Sequence, residues 1–206
     1  MDKSAPRSRT RRSRIGGFSM VELAVSMTVL LILTAIAIPN FMRSLRIYQL
    51  NDMAARLSDM LKFTRFEAVR RNKPVCFRMQ QQGSTSTWTV GTDSNCSGAF
   101  DATGRQQVIT GFVTLLDAGT PPAPTAITTA LNVATLTVLP GNPDRPQFDA
   151  RGAVRVNGAL TANVYVFYIG AAANPDDFGY RAVILLPSGA TQIWSAPAGG
   201  PWQRSG

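Results

Sequence analysis

The chain has 206 residues, enough for one ordinary domain and an appendage, and its 45% hydrophobic content allows a packed core. Its formal charge of +9 points to nucleic acid until it is mapped: residues 1–17 carry six basic residues (Lys3, Arg7, Arg9, Arg11, Arg12, Arg14) against Asp2, leaving only +4 over residues 18–206. The absence of histidine removes the commonest general base and metal ligand, and two cysteines without Cys-x-x-Cys spacing support neither a zinc site nor a thioredoxin-like centre.

The first predicted element is an apolar helix. From Phe18 to Ile38 only Ser19, Glu22, Ser26, Thr28 and Thr34 are not apolar. As a helix this run spans about 31 Å, which matches the hydrocarbon core of a bilayer. The basic leader precedes it and only Arg43 and Arg46 follow closely, so the positive-inside rule keeps the N-terminus cytoplasmic and sends the remainder across. Glu22 is the anomaly. A charge facing lipid near the bilayer centre costs about 2.5–3.5 kcal/mol, so it needs a partner.

A cleavable signal peptide is the rival reading, but no Ala-x-Ala-like site follows near Ile38-Pro39-Asn40. The helical pattern also runs on. Apolar or small residues recur at Ile47, Leu50, Ala54, Leu57, Leu61, Thr64 and Ala68 in steps of three and four, an amphipathic stripe. Residues 18–72 therefore read as one helix of about 80 Å, apolar all round and then amphipathic. Pro39 either kinks or locally melts that helix, or marks the end of its membrane part; the residues allow both.

After Lys73-Pro74 the period changes. Strand-like runs follow at Val75–Met79, Thr87–Gly91, Gln107–Leu116, Thr128–Leu139, Ala153–Asn157, Val164–Ile169, Tyr180–Leu186 and Thr191–Ser195, bounded by Gly, Pro, Asn and Asp. Residues 117–126 read as an exposed loop of polyproline character, and Gly-Gly-Pro-Trp-Gln-Arg-Ser-Gly as a flexible tail. Cys76 and Cys96 are most economically one disulfide in an oxidising compartment, with two free buried thiols as the alternative. The fold expected is α+β: a long N-terminal helix, transmembrane in its first half and amphipathic in its second, packed on an antiparallel β domain.

Gly17-Phe18-Ser19-x-x-Glu22, with a basic leader before it and an apolar helix after it, resembles the processing signature of type IV pilins and pseudopilins. The resemblance implies that a prepilin peptidase cuts between Gly17 and Phe18 and methylates the new Phe18 amine. That amine would lie one turn from Glu22, at i,i+4, and in the family the pairing is proposed to run between neighbouring subunits. Phe148-Asp149-Ala150-Arg151-Gly152, Arg181 to Gly189 and Leu57–Asn72 resemble the GspH/FimT family. Major pilins often carry a disulfide near the C-terminus, whereas these cysteines directly follow the helix, which argues for a minor component.

The resemblance divides the chain into a cytoplasmic prepilin leader (1–17), a transmembrane and assembly helix (18–41), an amphipathic helix (42–72) and a periplasmic β-rich domain (73–206). Its implied partners are other pilin or pseudopilin subunits, the prepilin peptidase and the bacterial inner membrane. The implied function is a minor pilin or pseudopilin of a type IV pilus or a type II secretion pseudopilus.

The alternative is a FimT-like DNA-binding minor pilin acting in DNA uptake, with Arg151, Arg155, Arg181 and Arg204 as candidate contacts beside Trp202. Backbone binding needs clustered cations, and this tail lacks the closely spaced arginine pair that FimT-type binding suggests. An enzyme is not expected. No paired-carboxylate constellation, phosphate loop or nucleophile elbow is present, Asp176-Asp177 reads as a solvated loop, and no cofactor or metal is called for.

Overall fold

A computed structural model of the protein describes residues 17–102, 104–141 and 145–205. Of the leader expected over 1–17, residues 1–16 lie outside the described residues. A helix, α1, runs from Met20 to Arg71 without interruption, Pro39 included. Residues up to Met42 form one compact unit and residues from Arg43 a second.

In the first unit every described side chain is exposed. The hydroxyls in this apolar run are satisfied inside the helix. Ser26, Thr28 and Thr34 donate to the carbonyls of Glu22, Ala24 and Leu30 at 2.7, 2.9 and 2.7 Å. Such back-bonding removes the polar penalty of hydroxyls where no water is at hand.

In the second unit α1 buries Leu50, Ala54, Leu57, Ser58, Met60, Leu61, Thr64, Glu67 and Ala68. Six of the seven predicted stripe positions are among the buried ones or, for Ile47, half-buried. The helix stops at Asn72, whose positive φ of 50° follows the bonds Asn72 N–H to Val69 O and Lys73 N–H to Ala68 O. That is a Schellman end with asparagine in the left-handed position, and Pro74 forbids continuation.

Two sheets follow. The first comprises β1 (Val75–Gln81), β2 (Trp88–Asp93), β3 (Gln106–Ile109), β6 (Gln147–Phe148), β7 (Val154–Val156) and β8 (Ala159–Leu160), in the order β3-β2-β1-β6-β7-β8 and antiparallel throughout. The second has β12 (Gln203–Arg204), β11 (Thr191–Ala196), β10 (Tyr180–Leu185), β9 (Tyr165–Ala171) and β4 (Val113–Leu116) in that order. A further strand, β5 (Thr137–Leu139), lies parallel to β9 along Tyr165–Phe167, beside the stretch of β9 that pairs with β4.

Three elements differ from expectation. The run Gln107–Leu116 is two strands in different sheets, because the chain turns at Gly111, where φ is +78°. The run Thr128–Leu139 is a helix and then a strand. Here α2 (Thr125–Leu131) starts after Pro124, ends at left-handed Asn132, and only Thr137–Leu139 extends. The residues 125–131 carry no period-two pattern strong enough to hold a strand against that entry and stop. Third, the tail is not loose. Trp202 is 3% exposed, donates its indole N–H to Pro122 O at 3.1 Å, and β12 pairs with β11.

The buried face of α1 shares one core with both sheets, including Phe77, Phe148, Tyr165, Phe167, Ile169, Val183 and Leu185. A second core lies on the other face of the second sheet, where Ile127 of α2, Tyr168, Trp194 and Trp202 meet. Strands β9 and β10 are consequently buried on both faces.

Candidate assembly and processing site

Gly17 and Phe18 precede the first turn of α1 in extended backbone, and the Phe18 ring is 79% exposed. Leu23 N–H donates to Ser19 O at 3.0 Å, which makes Ser19 the residue before the helix proper. Ser19 and Glu22 then occupy the first and fourth places of a capping box, Ser-x-x-Glu. The carboxylate also sits at the positive end of the helix dipole. This signature was legible in the sequence and gives Glu22 a second reason to be where it is. Among the described residues the Glu22 carboxylate makes no ion pair. An 18-residue stretch of α1 with mean hydropathy 2.4 is entirely unburied, so by length and composition the helix can cross a membrane.

Cys76 and Cys96 are bonded, joining β1 to the turn that follows β2. The four candidate DNA contacts do not converge on one surface. Arg151 and Arg155 belong to the β6–β7 region of the first sheet, Arg181 and Arg204 to the second sheet. Arg155 is engaged with Asp149 at 3.1 Å and with Gly158 O at 2.9 Å. Arg181 corrects the expectation outright. It is 8% exposed, and its guanidinium donates to Asn51 Oδ1 at 2.6 Å and Tyr180 O at 2.8 Å. Alternation along β10 puts it on the face of Val183 and Leu185, toward α1. Burial lowers its pKa, and it is not offered to a phosphate backbone.

The two family-like stretches come together in a way the sequence did not announce. Arg65 of α1 donates to Gly152 O at 3.1 Å, and Val154 N–H donates to Pro187 O at 2.9 Å. A Cβ at Gly189, where φ is +78°, would meet Gly152 O at 2.1 Å and Arg65 Nε at 2.9 Å. One helix arginine thus ties the turn of each sheet to the other, and only glycine fits. Asp149 holds the first turn by accepting from the amides of Arg151 and Ala153, both at 2.9 Å. Burial raises its carboxyl, but those amides and the Arg155 guanidinium outweigh that and hold it below the usual carboxylate range. At the end of α1, hydrogen bonding from Arg70 is the main cause that lowers Glu67, with Arg71 adding to it against burial. These are structural devices rather than reactive groups.

A long apolar-then-amphipathic helix leading into antiparallel sheets is the architecture of a type IV pilin-like protein. The family described as "Type II transport protein GspH" matches residues 53–189, two thirds of the sequence. The chain belongs to this family, whose members are pilin-like subunits. The match begins at Met53, so it bears on the body and not on Gly17, Phe18 and Glu22. Among solved structures, the type IV minor pilin FimU of Pseudomonas aeruginosa PAO1 is similar at 14% identity and TM-score 0.36, over 77% of this chain and 90% of that one. At that distance it adds no argument of its own. No curated protein sequence matches the chain.

Proposed function

We propose that the chain is the precursor of a minor pilin or pseudopilin, structural rather than enzymatic, that joins or initiates a type IV pilus or type II secretion pseudopilus. A prepilin peptidase removes residues 1–17, cutting between Gly17 and Phe18, and methylates the Phe18 amine. The helix 18–41 anchors the subunit in the bacterial inner membrane with its N-terminus cytoplasmic. Residues 42–72 continue as the amphipathic helix, and the domain 73–206 is periplasmic. Assembly packs the apolar helices of neighbouring subunits together and gives Glu22 the Phe18 ammonium as its partner.

The observation that supports this most is the leading half of α1, apolar and exposed at every described position, in a chain whose body is of the GspH family. Such a surface is stable only in lipid or against other apolar helices. Mass spectrometry of the protein purified from membranes tests the scheme. The expected mature N-terminus is methylated Phe18, and a start near residue 40 overturns it. The DNA-uptake alternative draws no support from the arginines, which lie on two sheets with Arg181 buried.

A further inference from the structure

The outer face of the first sheet carries two cations that nothing neutralises. Alternation along β1 sends Val75 and Phe77 into the core and Cys76 and Arg78 to the opposite face. Opposite Arg78 stands Gly91 of β2. A Cβ there would lie 3.0 Å from Arg105 O and 3.2 Å from Phe100 Cδ1, so the bare glycine is what lets the loop 94–101 fold down onto the sheet. The disulfide pins that loop at Cys96, and the Arg78 guanidinium stacks on the Phe100 ring, 5.3 Å from its centroid.

Among the described residues, Arg78 Nε is the one buried side-chain nitrogen or oxygen with no hydrogen-bond partner. The Arg145 side chain approaches the same loop. A Cβ on Gly98 would be 3.5 Å from Arg78 Nη1 and 3.5 Å from Arg145 Nη1, so the two nitrogens are no more than twice that apart. The nearby carboxylates are committed elsewhere. Asp93 accepts from the amides of Ser97 and Gly98, and Asp101 takes the Ser94 amide on both oxygens. Neither Arg78 nor Arg145 has an ion pair among the described residues.

Two guanidinium groups held this close repel each other unless an anion lies between them. We propose that Arg78 and Arg145 form a binding site for a phosphate-class oxyanion. A single carboxylate would balance only one of the charges. A phosphate monoester or inorganic phosphate carries close to two at neutral pH, and its oxygens suit two guanidinium forks.

The test uses the full-length chain in detergent micelles, titrated calorimetrically with inorganic phosphate, with glycerol phosphate as an ester and with acetate as the carboxylate comparison. Saturable one-site phosphate binding is expected, weakened about tenfold or more in Arg145→Gln and several times tighter than acetate. Arg145 is exposed, so this variant keeps its fold even where Arg78→Gln does not. Uptake of inorganic phosphate alone assigns the site to the free anion, and uptake of both phosphates assigns it to esters as well. The proposal is overturned by absent saturation, by unchanged phosphate binding in Arg145→Gln, or by acetate binding as tightly as phosphate.

Discussion

The two halves of α1 use the same backbone under opposite rules. Before Met42 the helix has no buried residue, and its hydroxyls turn back onto its own carbonyls. From Leu50 to Ala68 it buries one stripe, and its polar side chains reach out to other elements: Ser58 to Thr191 at 2.8 Å and Arg65 to Gly152. The first half is therefore specified by composition, the second by position. Substitution should separate them, with the first half governing assembly and the second governing stability.

The sharpest way to break that comparison is Glu22→Gln, which removes the charge and keeps the shape. Losing one member of a desolvated ion pair costs about 3 kcal/mol, or roughly a hundredfold in incorporation. Immunodetection in sheared filament fractions should fall by that order. The melting temperature of the detergent-solubilised chain should stay put, since exposed substitutions usually lie within about 0.5 kcal/mol. A melting shift as large as that of a core variant would mean the halves are not separable.

The reverse experiment lies in the body. Leu57→Ala opens a cavity at a fully buried position and should cost about 3 kcal/mol. Trp202→Ala should cost about as much or more, because the indole fills the second core against Tyr168, 5.6 Å between ring centroids, and gives up its bond to Pro122. For a chain of this size each corresponds to a melting shift of about 10 °C. Membrane insertion of both variants should be unchanged. A Trp202→Ala variant that melts like wild type would return the tail to the loose segment expected from its glycines and proline.

That tail shows where the sequence stopped speaking. Helix α1 was legible because its signals are local: an apolar run, then steps of three and four, then asparagine and proline. The strands with alternating patterns were legible for the same reason. Trp202 was not, because its burial depends on a proline loop 80 residues away in sequence. Thr125–Leu131 was misread because short mixed segments take their form from what they cover, here the far face of β9 and β10. Gly17, Phe18 and Glu22 stood out as a pattern, whereas the Arg65 node did not. Its glycines matter only because two turns far apart in sequence meet over one side chain.

Gly189→Ala tests that node directly. The added methyl would stand 2.1 Å from Gly152 O in a left-handed backbone, so strain and overpacking together should cost about 2–3 kcal/mol. Arg65→Ala removes the shared side chain and should reduce that penalty if the arginine is what holds the turns together. Equal penalties in the two backgrounds would place the strain in the Gly189 backbone alone.

The smallest effect expected is electrostatic and confined to the body. Asp149 and Glu67 both have folded-state pKa values below their ordinary ones, 3.8 and 4.5. A depressed carboxyl binds fewer protons folded than unfolded at acid pH, so it adds stability above the unfolded pKa and loses it as pH falls through the folded one. Stability measured by urea unfolding should therefore be flat near neutrality and decline below about pH 4. Asp149→Asn keeps the side-chain acceptor for the turn amides but removes the charge, and should cost about 1–2 kcal/mol at pH 7. It should also shallow the acid decline, whereas Glu22→Gln should leave that decline unchanged. If Asp149→Asn lowered stability by the same amount at pH 3 and pH 7, the turn would be held by shape rather than by charge.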